Sequence, residues 1–251
     1  MELAYDPQVG SRSRRLVAIL ALVTGTSLAV VATALSGGLD GAATASEVAE
    51  RGSRFQATDT VPLPTGCRRV VVIGDSLMDN AEPWLRAELR SAGHDYVVDA
   101  QPSRRTPGSW HAPYSGVKAA RAVRSTFGES DCWVVALGSN DLYNSAGAHD
   151  HVFDGMVAEM VAAVTRDAMV WWVNVNYRRD PRTSFDFVTA TRTFNAVVDA
   201  RAAEDEAFQV IDWYTLSEAN PQWFFDPVHV DRAASIVRAE FTVAALPPPA
   251  R

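Results

Sequence analysis

Between residues 67 and 243 the chain alternates short apolar runs with longer segments of helical period. The runs at 70–73, 96–99, 133–137, 169–175 and 208–211 hold few polar positions and are rich in β-branched and aromatic side chains. Strands buried on both faces have this pattern. The intervening stretches 81–92, 116–126, 154–166, 185–204 and 231–243 space their apolar residues for helices; Met156, Val157, Met160 and Val161 recur at intervals of three and four. Regular alternation of this kind predicts an α/β domain, a parallel sheet of five strands with helices on both faces. Right-handed crossovers then bring every strand's C-terminal end to one edge, where open α/β sheets bind their ligands.

The first 66 residues follow a different pattern. Arg12, Arg14 and Arg15 close a basic N-terminal segment, 1–15, and residues 16–39 carry no charge. The apolar stretch 16–35 reaches the ~20 residues a helix needs to span a bilayer. Positive charge before it holds the N-terminus in the cytoplasm and directs the remainder outward. Ala43-Thr44-Ala45-Ser46 offers a site to a signal peptidase. An uncleaved membrane anchor and a cleaved signal both fit, and both place the C-terminal domain outside the cytoplasmic membrane. A buried core helix does not fit, because the stretch has no polar face. Residues 36–66, rich in Gly, Ala, Ser, Thr and Pro, read as a linker, and 244–251 as a frayed tail.

Composition changes little in this picture. At 251 residues there is room for one domain with its own core. A net charge of −7 excludes the basic footprint of a nucleic-acid-binding protein. The two cysteines, Cys67 and Cys132, stand at the starts of the first and third strands. If those strands are parallel neighbours, both sulfurs lie at the edge opposite the functional one. Export permits a disulfide between them, which is the expected state, with two buried free thiols as the alternative.

The candidate chemistry lies at the other edge. Val70-Val71-Val72-Ile73 runs into Gly74-Asp75-Ser76, a turn suited to exposing a nucleophilic hydroxyl. Leu137-Gly138-Ser139-Asn140-Asp141 follows the third strand, and Asp226-Pro227-Val228-His229 precedes the last helix. A serine hydroxyl needs a base to take its proton, and histidine suits that task. Of five histidines only His229 has a carboxylate, Asp226, three positions earlier to orient its ring. The Asn140 amide and the Ser76 backbone N–H are candidate oxyanion donors, each typically worth ~10²–10³ in turnover.

These blocks resemble those of the SGNH/GDSL hydrolase superfamily. The resemblance covers roughly the C-terminal three-quarters of the chain. It implies a flavodoxin-like three-layer α/β/α sandwich, Ser76 as nucleophile, Asp226 and His229 completing the triad, and Asn140 in the oxyanion hole. The family's remaining oxyanion donor is a glycine N–H. Ser103, in Val98-Asp99-Ala100-Gln101-Pro102-Ser103-Arg104-Arg105, occupies that position here, with Gly108 as the alternative. The same segment, with Ile211-Asp212-Trp213-Tyr214 and Phe225-Asp226-Pro227-Val228-His229, is similar to the extracytoplasmic SGNH domains of membrane acyltransferases that O-acetylate peptidoglycan.

Around these blocks, Arg104, Arg105, Trp110, Tyr114, Tyr177, Arg178 and Arg179 are candidate substrate contacts, with a solvated loop the competing reading for the arginines and Tyr177. Trp171 and Trp172 read as core. His149-Asp150-His151 lacks a third ligand at metal spacing and reads as a solvated helix entry, so neither metal nor other cofactor is expected. Three functions remain: a serine esterase acting on small O-acyl esters of a small molecule or cell-envelope glycan; an O-acyltransferase, which would add a membrane protein supplying the acyl group; and a non-catalytic glycan-binding domain.

Overall fold

The computed structural model describes residues 63–144, 150–164 and 167–249. The segments read as basic N-terminus and membrane span, the cleavage site, most of the linker and His149 lie outside these residues. Among the described residues no helix is long and apolar enough to cross a membrane.

Five strands form one sheet: β1 (Arg69–Gly74), β2 (Asp95–Ala100), β3 (Cys132–Ala136), β4 (Met169–Val173) and β5 (Phe208–Ile211). Their order is β2-β1-β3-β4-β5, and every pairing is parallel. The helices are α1 (Ser76–Ser91), α2 (Gly116–Phe127), α3 (Ser139–Asn144), α4 (Asp150–Ala163), α5 (Phe187–Glu204), α6 (Trp213–Glu218) and α7 (Arg232–Ala244), with a 3₁₀ turn at Pro221–Trp223. Strand alternation divides the core into two layers. Val70, Val72, Val134, Trp171 and Val173 pack beneath α1 and α7, against Leu85, Leu89, Ala239 and Val243. Val71, Ile73, Trp133, Val135 and Trp172 face the other way, against Val123 of α2, Met160 of α4 and Phe194 of α5. Trp171 and Trp172 are therefore core residues of opposite layers, and the architecture is the expected three-layer α/β/α sandwich.

Cys67 and Cys132 form a disulfide with Cα atoms 5.4 Å apart. Neighbouring β1 and β3, in the register Val70↔Cys132, bring the pair together at the N-terminal ends of the strands.

The differences from expectation have local causes. Helix α1 begins at Ser76 rather than at 81, because Asp75 is its N-cap and accepts from the Leu77 N–H at 3.0 Å. Pro83 consequently lies in the helix interior, where a proline costs ~3 kcal/mol. Burial of Leu77, Met78, Ala81 and Leu85 offsets that cost. Strand β4 stops at Val173 rather than 175. Asn195 of α5 takes both main-chain groups of Val175, its Oδ1 accepting from the N–H at 3.0 Å and its Nδ2 donating to the carbonyl at 2.9 Å. A side chain thereby replaces the strand ladder just where the chain enters the functional edge.

Candidate active site

Adjacent strands deliver the candidate nucleophile and the candidate oxyanion donors to one edge. Ser76 follows β1, Ser103 follows β2, and Asn140 follows β3, with β1 between the other two. The loop starts are tied together: the Asp75 N–H donates to the Ala136 carbonyl at 3.2 Å, and the Gln101 N–H to the Gly74 carbonyl at 3.1 Å. Gly138 makes the sharp entry to α3. Its φ is +131°, and a Cβ there would lie 2.6 Å from the Phe194 ring, so only glycine fits.

Ser76 Oγ lies 2.9 Å from His229 Nε2. His229 Nδ1 lies 2.8 Å from Asp226 Oδ2. The ring therefore donates Nδ1–H to the carboxylate and leaves the Nε2 lone pair for the Ser76 hydroxyl. Asp226 Oδ1 accepts from the main-chain N–H of Val228 at 2.8 Å and of His229 at 2.7 Å. Burial works against ionisation of this carboxyl. The N–H donors of His229 and Val228 outweigh it, holding its pKa below the ordinary 3.8. The segment is braced at both ends. The Phe225 N–H donates to the His229 carbonyl at 3.2 Å, Phe224 bridges to Val230, and the Asp231 N–H donates to the Trp223 carbonyl at 2.8 Å. From the next loop, the Arg178 N–H donates to the Pro227 carbonyl at 2.7 Å.

On the oxyanion side, the Ser76 N–H opens a sixteen-residue helix and donates to no acceptor among the described residues. It adds the positive end of the helix dipole. Ser103 has a φ of +63°. It is the third residue of a turn closed by Arg104 N–H to Gln101 carbonyl at 3.2 Å, with Pro102 second. Proline followed by positive φ is the type II arrangement, which prefers glycine at the third position. The serine adopts this conformation here at a steric cost. Asn140 Nδ2 donates to the Arg104 carbonyl at 3.1 Å, so the amide sits against the same turn.

Arg104 departs from the sequence reading. It is 1% exposed, donates to Asp99 Oδ1 at 2.7 Å and to the Pro113 carbonyl at 2.9 Å, and also bonds the Asp99 carbonyl. It is neither a substrate contact nor a solvated loop residue; it ties the segment after β2 to the strand end. Arg105 points elsewhere, its guanidinium 3.9 Å from the Trp110 ring centroid, with Trp110 exposed. Tyr177 stacks on Phe187 at 3.9 Å and is half-buried.

Four residues at the site, Phe225, Asp141, Asp75 and Arg238, make contacts the motifs did not suggest. Phe225 is 69% exposed and lies parallel to the His229 ring, with centroids 6.0 Å apart. Its exposed ring leaves an apolar surface beside His229. Asp141 is buried and accepts from the Thr106 N–H at 3.0 Å and the Thr106 hydroxyl at 2.7 Å, which anchors the 101–115 loop beside Asn140. Behind Ser76, burial raises the Asp75 pKa while the charge of Arg238 opposes it. Arg238 is itself buried, over the Trp213 ring at 4.7 Å, and its pKa is lowered by burial to about 10. Among the described residues no group of three or more His, Cys, Asp or Glu side chains is placed to hold a metal ion.

No family model matches the sequence, and no curated protein matches it. Solved structures do. The C-terminal catalytic domain of peptidoglycan O-acetyltransferase A from Streptococcus pneumoniae, with a methylsulfonyl adduct, is 16% identical with a TM-score of 0.57, covering 72% of this chain and 93% of that one. A member of the lipolytic G-D-S-L family from Veillonella parvula is 16% identical with a TM-score of 0.57, covering 70% and 97%. A carbohydrate acetylesterase family member from Sinorhizobium meliloti is 18% identical with a TM-score of 0.55, again covering 70% and 97%. The chain has the fold of these SGNH/GDSL hydrolases.

Proposed function

We propose that this chain is a serine-dependent enzyme acting on small O-acyl esters, working through an acyl-enzyme on Ser76. What supports the reading is the continuous relay Ser76 Oγ, His229 Nε2, His229 Nδ1, Asp226 Oδ2, with steps of 2.9 and 2.8 Å. A fold neighbour alone would not carry it.

In this mechanism Ser76 Oγ attacks the ester carbonyl carbon as His229 Nε2 takes its proton. Asp226 holds the resulting imidazolium in place. The N–H groups of Ser76 and Ser103 and the Asn140 amide are the donors for the oxyanion. Collapse breaks the bond to the leaving alcohol, which receives the proton from His229. Water then attacks the acyl-serine, giving its proton to His229; the carboxylic acid departs and Ser76 recovers its hydroxyl.

The substrate class proposed is an O-acetylated carbohydrate of the cell envelope. Supporting it are the likeness to a carbohydrate acetylesterase family member and the similarity of the 98–105, 211–214 and 225–229 segments to peptidoglycan acyltransferase domains. A second reading is O-acetyl transfer, in which a sugar hydroxyl replaces water in the second half-reaction. Its support is the S. pneumoniae O-acetyltransferase domain among the fold neighbours. Location outside the cytoplasmic membrane is part of the proposal, resting on the arginine-led apolar stretch 16–35 and on the Cys67–Cys132 disulfide.

The test is release of nitrophenol from p-nitrophenyl acetate by the full-length chain beside Ser76→Ala, with and without a glycan acceptor. Ser76-dependent release with an unmodified glycan supports hydrolysis, and Ser76-dependent acetylation of the glycan supports transfer. Release unaffected by Ser76→Ala, or no release together with no labelling by a fluorophosphonate, removes both.

A further inference from the structure

A cavity of about 180 Å³ opens where the segment after β4 meets α5 and α6. Its wall includes Tyr177, Arg178, Arg179, Arg192, Tyr214 and Glu218. Neither Ser76 nor His229 lines it. The volume is below the ~300 Å³ at which sites for whole small molecules begin, so it suits one ring or one charged substituent.

Its charge is uneven. Three guanidinium groups face one carboxylate, and Glu218 is already an acceptor, its Oε2 lying 3.3 Å from Asn176 Nδ2. Arg178 has a structural task, donating from Nη1 to the Pro221 carbonyl at 3.0 Å and lying 5.2 Å from the Phe224 ring centroid. Arg179 and Arg192 do not. Both are exposed, and neither lies within 4.0 Å of a described carboxylate; the Arg192 charge reaches the Asp186 carboxylate only at longer range. Two exposed guanidinium groups outside any close ion pair, beside a rigid aromatic wall with Tyr177 fixed on Phe187 at 3.9 Å, form a receptor for a planar or tetrahedral oxyanion next to a ring.

The cavity is coupled to the relay. Arg178, one of its walls, donates its N–H at 2.7 Å to the carbonyl of Pro227, which lies between Asp226 and His229. A substituent held there is one residue away from the segment that carries the base.

We infer that this cavity is a subsite for an anionic substituent, a carboxylate or a phosphate, on the carrier of the ester, with Arg179 and Arg192 as its specificity-determining residues. The inference rests on the ester-acting reading of Ser76 and goes beyond it by assigning charge to the substrate.

The experiment compares full-length wild type, Arg179→Ala, Arg192→Ala and the double variant on four acetyl esters. These are p-nitrophenyl acetate, an O-acetylated glycan fragment bearing a carboxylate, the same fragment with that carboxylate reduced to an alcohol, and a phosphate-bearing fragment. Wild type should favour at least one anionic fragment over the reduced one by ~10-fold or more in kcat/KM, mainly through KM, as loss of a charge-assisted contact implies. The double variant should lose that preference while hydrolysing p-nitrophenyl acetate at the wild-type rate. Whichever anion is preferred identifies the source. Absence of preference in wild type, or its persistence in the double variant, overturns the inference. Equilibrium binding of the anionic fragments to Ser76→Ala keeps the two readings apart. If p-nitrophenyl acetate hydrolysis proves independent of Ser76, the catalytic proposal fails. Binding that is weakened ~10-fold by the arginine substitutions would still support the subsite.

Discussion

Replacing Asp141 with asparagine should leave stability nearly unchanged at pH 4 and raise it at pH 8. The carboxyl is fully buried, and burial is the main reason its pKa rises from 3.8 to about 7, against the opposing Thr106 hydrogen bonds and the Arg105 charge. Between those two values the folded chain holds a proton that the unfolded chain has released. Stability therefore falls with rising pH across this window. The neutral acid's contribution is complete below 3.8 and is lost as pH passes through about 7. A shift of about three units corresponds to a loss of about 4 kcal/mol. Asparagine cannot ionise, so it avoids the loss. With its amide oxygen at the Oδ2 position it keeps the 3.0 Å and 2.7 Å bonds from Thr106 and gives up only the longer 3.2 Å contact of the same N–H with Oδ1.

The assay is urea unfolding of both proteins at several pH values from 4 to 8. With m of ~1–3 kcal/mol/M, the effect would move the midpoint by more than ~1 M at pH 8. Asp226, whose lowered pKa gives the opposite trend, is present in both proteins and cancels in the difference, whereas Asp75, whose charge helps raise the Asp141 pKa, is relieved in the variant and adds to its advantage at pH 8. Parallel pH profiles, or an asparagine variant less stable at pH 8, would refute the reasoning. A buried carboxyl that weakens the fold near neutral pH is retained here next to Asn140, where it anchors the loop bearing Ser103. Stability given up at a functional site is a familiar trade.

Asp226→Asn should lower kcat by ~10⁴ with little change in melting temperature, because the amide no longer fixes the His229 tautomer; a loss under tenfold would count against the relay. Cys67→Ala with Cys132→Ala should cost ~4 kcal/mol by the chain-entropy relation for a sequence separation of 65, measured by urea unfolding, while esterase activity persists because the pair lies at the strand ends remote from Ser76. A cost below ~1 kcal/mol would show that the unfolded chain is not the state the disulfide constrains. Ser103→Val should lose ~1–2 kcal/mol in thermal unfolding and Ser103→Gly should not, since φ is +63°; equal stability of the two would deny the strain.

The sheet was legible because parallel strands buried on both faces must be apolar runs, and such runs leave few alternatives. Once the strands were placed, their common C-terminal edge brought Ser76, Asn140 and His229 together without further information. The disulfide followed from the same rule applied at the opposite edge. What could not be read was the direction in which individual side chains leave the loops. Arg104 and Arg105 are neighbours of identical chemistry, yet one is sealed against Asp99 and the other lies over Trp110. The turn at 101–104 leads into that pair, and its positive φ falls on a serine rather than a glycine. Strand β4 likewise ended early because of Asn195, a residue on a helix that follows the strand in the chain.

The candidate subsite shows the same limit from another side. Arg179 lies in a loop and Arg192 on α5, and their proximity depends on the rotational phase of that helix against the sheet. A strand fixes which end of the sheet its loop reaches, so catalytic residues at strand ends can be inferred from order alone. A helix residue's bearing depends on where the helix starts, and here Asp186 sets that start by accepting from the Thr189 N–H at 3.0 Å. An error of one residue at the cap turns the helix by ~100° and moves Arg192 off the cavity. The chemistry proposed for Ser76 and the loop arginine Arg179 were accordingly open to a one-dimensional reading, whereas Arg192 required the packed helices.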